Sequence, residues 1–138
     1  MRKPPMAKAK ARKAKFPAGI DSTYELEYLR ILEDLRYCGH IADFRLKPGS
    51  IRLAKGCHYE PDFLVVQNDG TLEYHEVKGP TRFAAKSITK IKVASALLPW
   101  FGFVLVTGKS AKAKGLDGKT RRSIAFTPTE IREGQGGE

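Results

Sequence analysis

The stretch Tyr59–Gly79, YEPDFLVVQNDGTLEYHEVKG, leaves the backbone few choices. Phe63 to Val66 is apolar and ends in two β-branched residues, and Leu72 to Lys78 is a second extended run. Between them Asn68-Asp69-Gly70 supplies a turn, with Gly70 available for a positive φ. The pattern predicts a β-hairpin with a three-residue loop. If Gln67 and Thr71 close that loop, Val66 faces Leu72, Leu64 faces Tyr74 and Asp62 faces Glu76. Directly opposed residues share a face, with Cβ atoms roughly 4.5–5.5 Å apart. Lys78 lies two residues past Glu76 and joins that face. Two carboxylates and an ammonium therefore crowd one end of a hairpin whose middle is apolar.

The rest of the chain sets the context for that crowding. Its 138 residues suffice for one domain with a sizeable core. A net charge of +10 favours a polyanionic partner, either nucleic acid or an anionic membrane surface. The longest mostly apolar stretch, Val93 to Val106, is interrupted by Pro99 and Gly102 and is too short to span a bilayer. The start of the chain lacks the apolar core of a secretory signal, and two cysteines give no disulfide framework. A reducing, cytoplasmic setting is the expectation.

Residues 1–20 read as a basic arm, disordered in solution, carrying Arg2, Lys3, Lys8, Lys10, Arg12, Lys13 and Lys15 with no acid before Asp21. Such charges can bind phosphates with release of counterions. A solvated tail is the plain alternative, and a mitochondrial presequence the weaker one, since no amphipathic apolar face is evident. Residues 21–131 read as a single domain, and 132–138 as a flexible tail.

Asp21 to about Cys38 predicts a helix. Ser22-Thr23-Tyr24-Glu25 fits a capping box and Gly39 suits its end. Tyr24, Tyr28, Ile31, Leu32 and Leu35 fall on one face at about 100° per residue. Glu25 projects at the edge of that face, whereas Glu27, Glu33 and Asp34 point beside Arg30 or toward solvent. Glu25 is thus the helix acid aimed at the core, and it can also serve the cap by accepting a backbone N–H. Ile41–Lys47 and Ser50–Leu53 look like short strands, separated by Pro48-Gly49. Asp43 reads as a strand-edge acid. Cys38, His40, Cys57 and His58 lack the spacing of zinc frameworks and read as thiols and surface histidines.

After the hairpin, Thr81 can cap a helix running to about Leu98, with Phe83, Ile88, Ile91, Ala94 and Leu98 apolar. Lys86 and Lys90 on it are either a solvated face or phosphate contacts, Lys90 being the candidate. Phe101–Val106 reads as a buried strand. Gly108-Lys109-Ser110 is not a P-loop, because Phe103 stands where its first glycine belongs. Residues 109–122 read as a Gly- and Lys-rich loop with Lys109, Lys112, Lys114, Lys119, Arg121 and Arg122, followed by a short strand Ile124–Phe126.

Close carboxylates repel, and grouping them is costly unless a cation sits between them. Hard oxygen ligands suit Mg²⁺ or Mn²⁺. Such an ion can bind a scissile phosphate and lower the pKa of a bound water, while a lysine orients that water or offsets phosphate charge. The alternative is an ordinary cross-strand arrangement with Lys78 ion-paired to Glu76 or Glu60.

Pro61-Asp62 followed by Glu76-Val77-Lys78 resembles the signature of the PD-(D/E)XK nuclease superfamily. Pro61-Asp62-Phe63 and Glu76-Val77-Lys78-Gly79 look like the corresponding runs of its small phage members of the endonuclease I, Holliday-junction-resolvase type. The resemblance covers roughly residues 21–107. It implies an α/β fold with a restriction-endonuclease-like αβββαβ core, a mixed sheet flanked by helices. It also implies Mg²⁺- or Mn²⁺-dependent cleavage of DNA. Glu25, Asp62 and Glu76 would be the acidic metal-site residues, the Val77 carbonyl a further ligand, and Lys78 the catalytic lysine. The hairpin is longer than in the resolvases and no matching tail follows, so junction specificity does not carry over.

Nucleic-acid contacts are expected from Lys8, Lys10, Arg12, Lys13, Lys15, Lys90, Lys109, Arg121 and Arg122. A homodimer is an expectation drawn only from the need to cut two strands. Two other functions compete: a binding module or nuclease subunit of a transposase-like assembly, and a basic protein that coats nucleic acid.

Overall fold

A computed structural model of the chain describes residues 16–80 and 85–132. The basic charges at positions 2–15, the Thr81 cap, Phe83 and the segment 133–138 lie outside the described residues.

The first helix, α1, spans Thr23–Tyr37. Ser22 caps it in an extended conformation, its side chain accepting from the Glu25 N–H at 3.1 Å. Glu25 reaches back to accept from the Asp21 N–H at 3.0 Å, so the box closes one residue earlier than the pattern predicts. Gly39 follows at φ +78, a conformation that glycine adopts without strain. Tyr28 and Leu32 are buried, while Ile31 sits at the rim of the apolar face, 37% exposed.

Strands β1 (Asp43–Leu46), β4 (Phe63–Val66), β5 (Leu72–Lys78), β6 (Gly102–Lys114) and β7 (Thr120–Glu130) form one mixed sheet in the order β1-β4-β5-β6-β7. Only β5 and β6 are parallel, and the connection between them contains α2 (Ala85–Leu97). A separate hairpin of β2 (Ile51–Ala54) and β3 (Cys57–Tyr59) is inserted between β1 and β4. The class is therefore α/β with a mixed five-stranded sheet and two helices. α1 covers one face, burying Tyr28 and Leu32 with Phe44, Phe63, Val65, Val77 and Val106. α2 covers the other, burying Ile91 and Ala94 with Tyr59, Phe103 and Leu105. No helix among the described residues is long and apolar enough to cross a membrane.

The central hairpin has the predicted register, with Val66 opposite Leu72 and Leu64 opposite Tyr74. The Gln67 N–H donates to the Thr71 carbonyl at 2.8 Å, and Gly70 adopts φ +87. The regular ladder ends at the Phe63–His75 pair, leaving Asp62 and Glu76 one step beyond it.

The region 109–122 departs most from expectation. It is not a loop: β6 continues to Lys114 and β7 begins at Thr120. The turn at 115–119 is closed by the Gly115 N–H on the Lys119 carbonyl at 2.9 Å, with Gly118 at φ +77. Asp117 accepts from the Lys119 N–H at 3.0 Å. Asp117-Gly118 is a hairpin-turn signal. The lysine content hides it, because both faces of these strands are exposed and carry no apolar alternation. Gly108-Lys109-Ser110 accordingly lies within a strand.

Candidate functional site

Asp62 is the hub. It lies just before β4, only 5% exposed. Its Oδ2 accepts from the Val77 N–H on β5 at 2.8 Å. This bond crosses from one strand to the next where the ladder has stopped, and it fixes the carboxylate at the end of the sheet. Asp62 Oδ1 accepts from Lys47 Nζ at 2.6 Å.

Lys47 is the member that sequence reasoning misses. Its ammonium also lies 3.5 Å from Glu25 Oε1 and 3.8 Å from Asp21 Oδ2. It thus stands among three carboxylates. Its backbone is unusual as well: it is the one non-glycine residue at positive φ among those described, at φ +48. Its N–H donates to the Asp62 carbonyl at 2.8 Å, so the same two residues are tied through backbone and side chain. Burial works against its charge, but the hydrogen bond and charge of Asp62, helped by Glu25 and Asp21, outweigh it and raise its pKa. The available sequence signal was only a lysine before Pro48-Gly49, which marks a turn and gives no hint of a partner.

Glu25 is 8% exposed at the start of α1. It does both things the sequence allows, one oxygen serving the cap and the other facing Lys47. Its pKa is raised, first by burial and then by Asp62, although the Asp21 N–H and Lys47 pull the other way.

Glu76, on β5, is 7% exposed and belongs to the other side of Asp62. Its Oε2 accepts from the Tyr59 hydroxyl at 3.0 Å, and its Oε1 is 3.4 Å from Lys78 Nζ. Burial and the neighbouring Asp62 charge push its pKa up to about 7, despite Lys78 and Tyr59. Tyr59 is a second residue without an assigned role in the sequence. Its phenol is buried beside Glu76, and its pKa rises above the ordinary tyrosine range because of burial and that carboxylate. Lys78 is half-buried at the last paired position of β5, opposite Thr107.

Two clefts flank this group. One, of about 330 Å³, is lined by His58, Tyr59, Glu60, Glu76, Ser87 and Lys90. The other, of about 200 Å³, is lined by Lys47, Gly49, Ser50, Glu60 and Pro61. Lys90 is at the rim of the first, donating to the His58 carbonyl at 3.2 Å. Glu25, Asp62, Glu76, Val77 and Lys78 therefore gather at one end of the sheet, and Lys90 overlooks Glu76. Lys109, Arg121 and Arg122 are on the β6–β7 ribbon instead. Asp43 stays at the sheet edge, bonded to Arg36 at 3.1 Å.

The donor set is chemically suited to a hard divalent cation: clustered, largely buried carboxylates with a protein ammonium offsetting their charge. The side chains are not converged for direct ligation. Among the described residues no group of three acids, histidines or cysteines is arranged to hold a metal ion, and the three carboxylates that do converge meet on the Lys47 ammonium. Asp62 has both oxygens engaged, one by Lys47 and one by the Val77 N–H.

Comparison with protein-family models, with curated proteins and with solved structures finds no match.

Proposed function

We propose that the chain is a divalent-metal-dependent endonuclease that hydrolyses phosphodiester bonds in DNA. The observation that carries this reading is the gathering of Glu25, Asp62 and Glu76 with Lys78 at one end of the sheet, between two open clefts. Carboxylates in such company repel, and the raised pKa values of Glu25 and Glu76 are the mark of that repulsion added to burial. An acid cluster of this kind beside a lysine suits a site that accepts a cation and a phosphate. If the β2–β3 hairpin is set aside as an insertion, α1, β1, β4, β5, α2 and β6 run in the order αβββαβ, which further supports a PD-(D/E)XK core.

Asp62, Glu76 and the Val77 carbonyl, with Glu25, would hold Mg²⁺ or Mn²⁺. Such an ion supplies charge stabilisation at the phosphate and a more acidic bound water. Lys78 is placed to orient the attacking water or to offset phosphate charge. Tyr59 fixes one oxygen of Glu76 and leaves the other toward Lys78. Lys90, at the rim of the larger cleft, is placed to meet a backbone phosphate. Lys47 balances the acids, a role that a bound cation would share.

The test is a cleavage panel on linear, nicked, flapped and four-way DNA, each with Mg²⁺, with Mn²⁺ and with EDTA. Product with either metal and none with EDTA is expected. The 2.6 Å contact between Lys47 and Asp62 also favours a second reading, a binding module whose acids are permanently ion-paired. Retention of DNA without product on every substrate and metal would favour that module and sink the enzyme.

A further inference from the structure

The β6–β7 ribbon belongs to no part of the site described above. β5 ends at Lys78, paired with Thr107. From Gly108 to Lys114, β6 has only β7 as a strand partner among the described residues, and the pairing continues out to Lys114–Thr120. At 3.3–3.4 Å per residue, this two-stranded arm extends roughly 20 Å past the end of β5. It leaves the sheet at the end where Glu76 and Lys78 lie.

Its charge is one-sided. Positions 109–122 carry Lys109, Lys112, Lys114, Lys119, Arg121 and Arg122 against a single acid, Asp117. That acid is already taken by Arg121 at 2.6 Å. Lys112 is directly opposite Arg122, and Lys114 lies on the same face two residues along. Like charges set directly across a strand pair destabilise it. These three make no ion pair among the described residues, so the arm carries a cost that a polyanion would remove. The opposite face places Ala111, Ala113, Ser123 and Ala125 beside Lys109 and Arg121.

The shape selects among polyanions. A two-stranded ribbon fits the major groove of B-form DNA, about 12 Å wide. The corresponding groove of A-form RNA is too narrow for side chains to read. Single-strand binding relies on aromatic stacking platforms, and no Phe, Tyr or Trp occurs from position 109 to 125. A membrane surface is a poor fit, because the arm offers one exposed large apolar side chain, Leu116, next to Asp117.

We infer that the β6–β7 ribbon is an arm that enters the major groove of duplex DNA, with Lys112, Lys114 and Arg122 on the phosphates. The inference rests on DNA being the partner, and it narrows that partner to duplex. A duplex held by the arm has its flanking backbone brought toward the Lys78 end of the sheet.

The test measures binding in EDTA, where cleavage plays no part. Fluorescence anisotropy follows a short DNA duplex, the matching single strand and an RNA duplex across a salt series. The triple variant Lys112→Gln, Lys114→Gln, Arg122→Gln is compared with the wild type and with Arg45→Gln, Lys55→Gln, Lys92→Gln. Each phosphate contact contributes about 0.9 to the slope of log affinity against log salt. The ribbon variant should therefore lose about 2–3 from that slope on duplex DNA, and less on the other nucleic acids, with the control triple changing it little. All six positions are exposed, and thermal melts check that both variants remain folded. An unchanged slope on duplex overturns the arm. So does an equal loss on single strands or RNA, or a greater loss of binding to phosphatidylserine vesicles than to duplex. A wild type that binds duplex but never cuts it refutes the nuclease and leaves this result decisive by itself. A wild type that binds no DNA overturns both.

Discussion

Replacing Glu76 with glutamine removes a charge that the fold accommodates at a cost, and the size of that cost follows from the site. The Glu76 carboxyl ordinarily titrates at 4.5, but burial and the Asp62 charge push it up to about 7. Below 4.5 the group is protonated in both folded and unfolded chains and contributes no pH dependence. Between 4.5 and about 7 the folded chain keeps its proton while the unfolded chain has lost it, so stability falls as pH rises. Above about 7 both forms are ionised and the loss is complete. Each pH unit of displacement is a tenfold change in the folding equilibrium, so the whole loss is about 3 kcal/mol at most. Glu76→Gln keeps the shape and an acceptor for the Tyr59 hydroxyl but has no proton to lose. Urea denaturation of both proteins in EDTA, from pH 4 to 8.5, checks this. The stability of Glu76→Gln relative to wild type should climb by up to about 3 kcal/mol between pH 4.5 and 7 and then level off. A difference that stays constant with pH, or that moves the other way, refutes the assignment of Glu76 as a charge buried against its preference.

Three further substitutions probe other parts of the molecule. Lys47→Met leaves Asp62 and Glu25 without their ammonium and should destabilise the protein in EDTA by about 1–3 kcal/mol. Added Mg²⁺ should restore more of the melting temperature in this variant than it adds to wild type, which calorimetry measures. Tyr28→Phe removes a buried 2.6 Å hydrogen bond to His75 Nδ1 and leaves that nitrogen unpaired on this side, which should cost about 1–2 kcal/mol in chemical denaturation. Gly108→Ala would set a methyl 2.5 Å from Tyr24 Cδ1 and 3.0 Å from Ile124 Cγ2. Where α1 meets the base of the ribbon, that overpacking should cost about 1–3 kcal/mol, again read by denaturation.

The parts of the fold that the sequence made legible are those where a single local rule has only one solution. The hairpin register follows from two extended runs joined by a three-residue glycine turn that Gln67 and Thr71 close, and the structure has that closure and Val66 opposite Leu72. Glu25 was legible because a capping position and the edge of an apolar face coincide. The ribbon was obscured because an arm solvated on both faces has no apolar alternation to read. Its Asp117-Gly118 turn was the usable clue. β3 was missed because a three-residue strand, Cys57–Tyr59, lies below the length at which periodicity carries information. Lys47 was out of reach for a different reason. It meets Asp62 from fifteen positions away, through a backbone conformation that nothing in Leu46-Lys47-Pro48-Gly49 specifies. Proline even disfavours helical geometry in the residue before it. Contacts of this sort arise from tertiary closure, and one sequence does not encode them locally.

The central claim is that Asp62, Glu76 and Lys78 carry out metal-dependent hydrolysis of DNA. Its most direct test is the nicking of supercoiled plasmid in Mg²⁺ or Mn²⁺ by wild type, Asp62→Ala, Glu76→Gln and Lys78→Ala, with duplex affinity measured in parallel in EDTA. Wild type is predicted to cut, and each variant to lose cutting while largely keeping its affinity. Cutting that persists unchanged in the three variants, or that proceeds equally in EDTA, contradicts the claim.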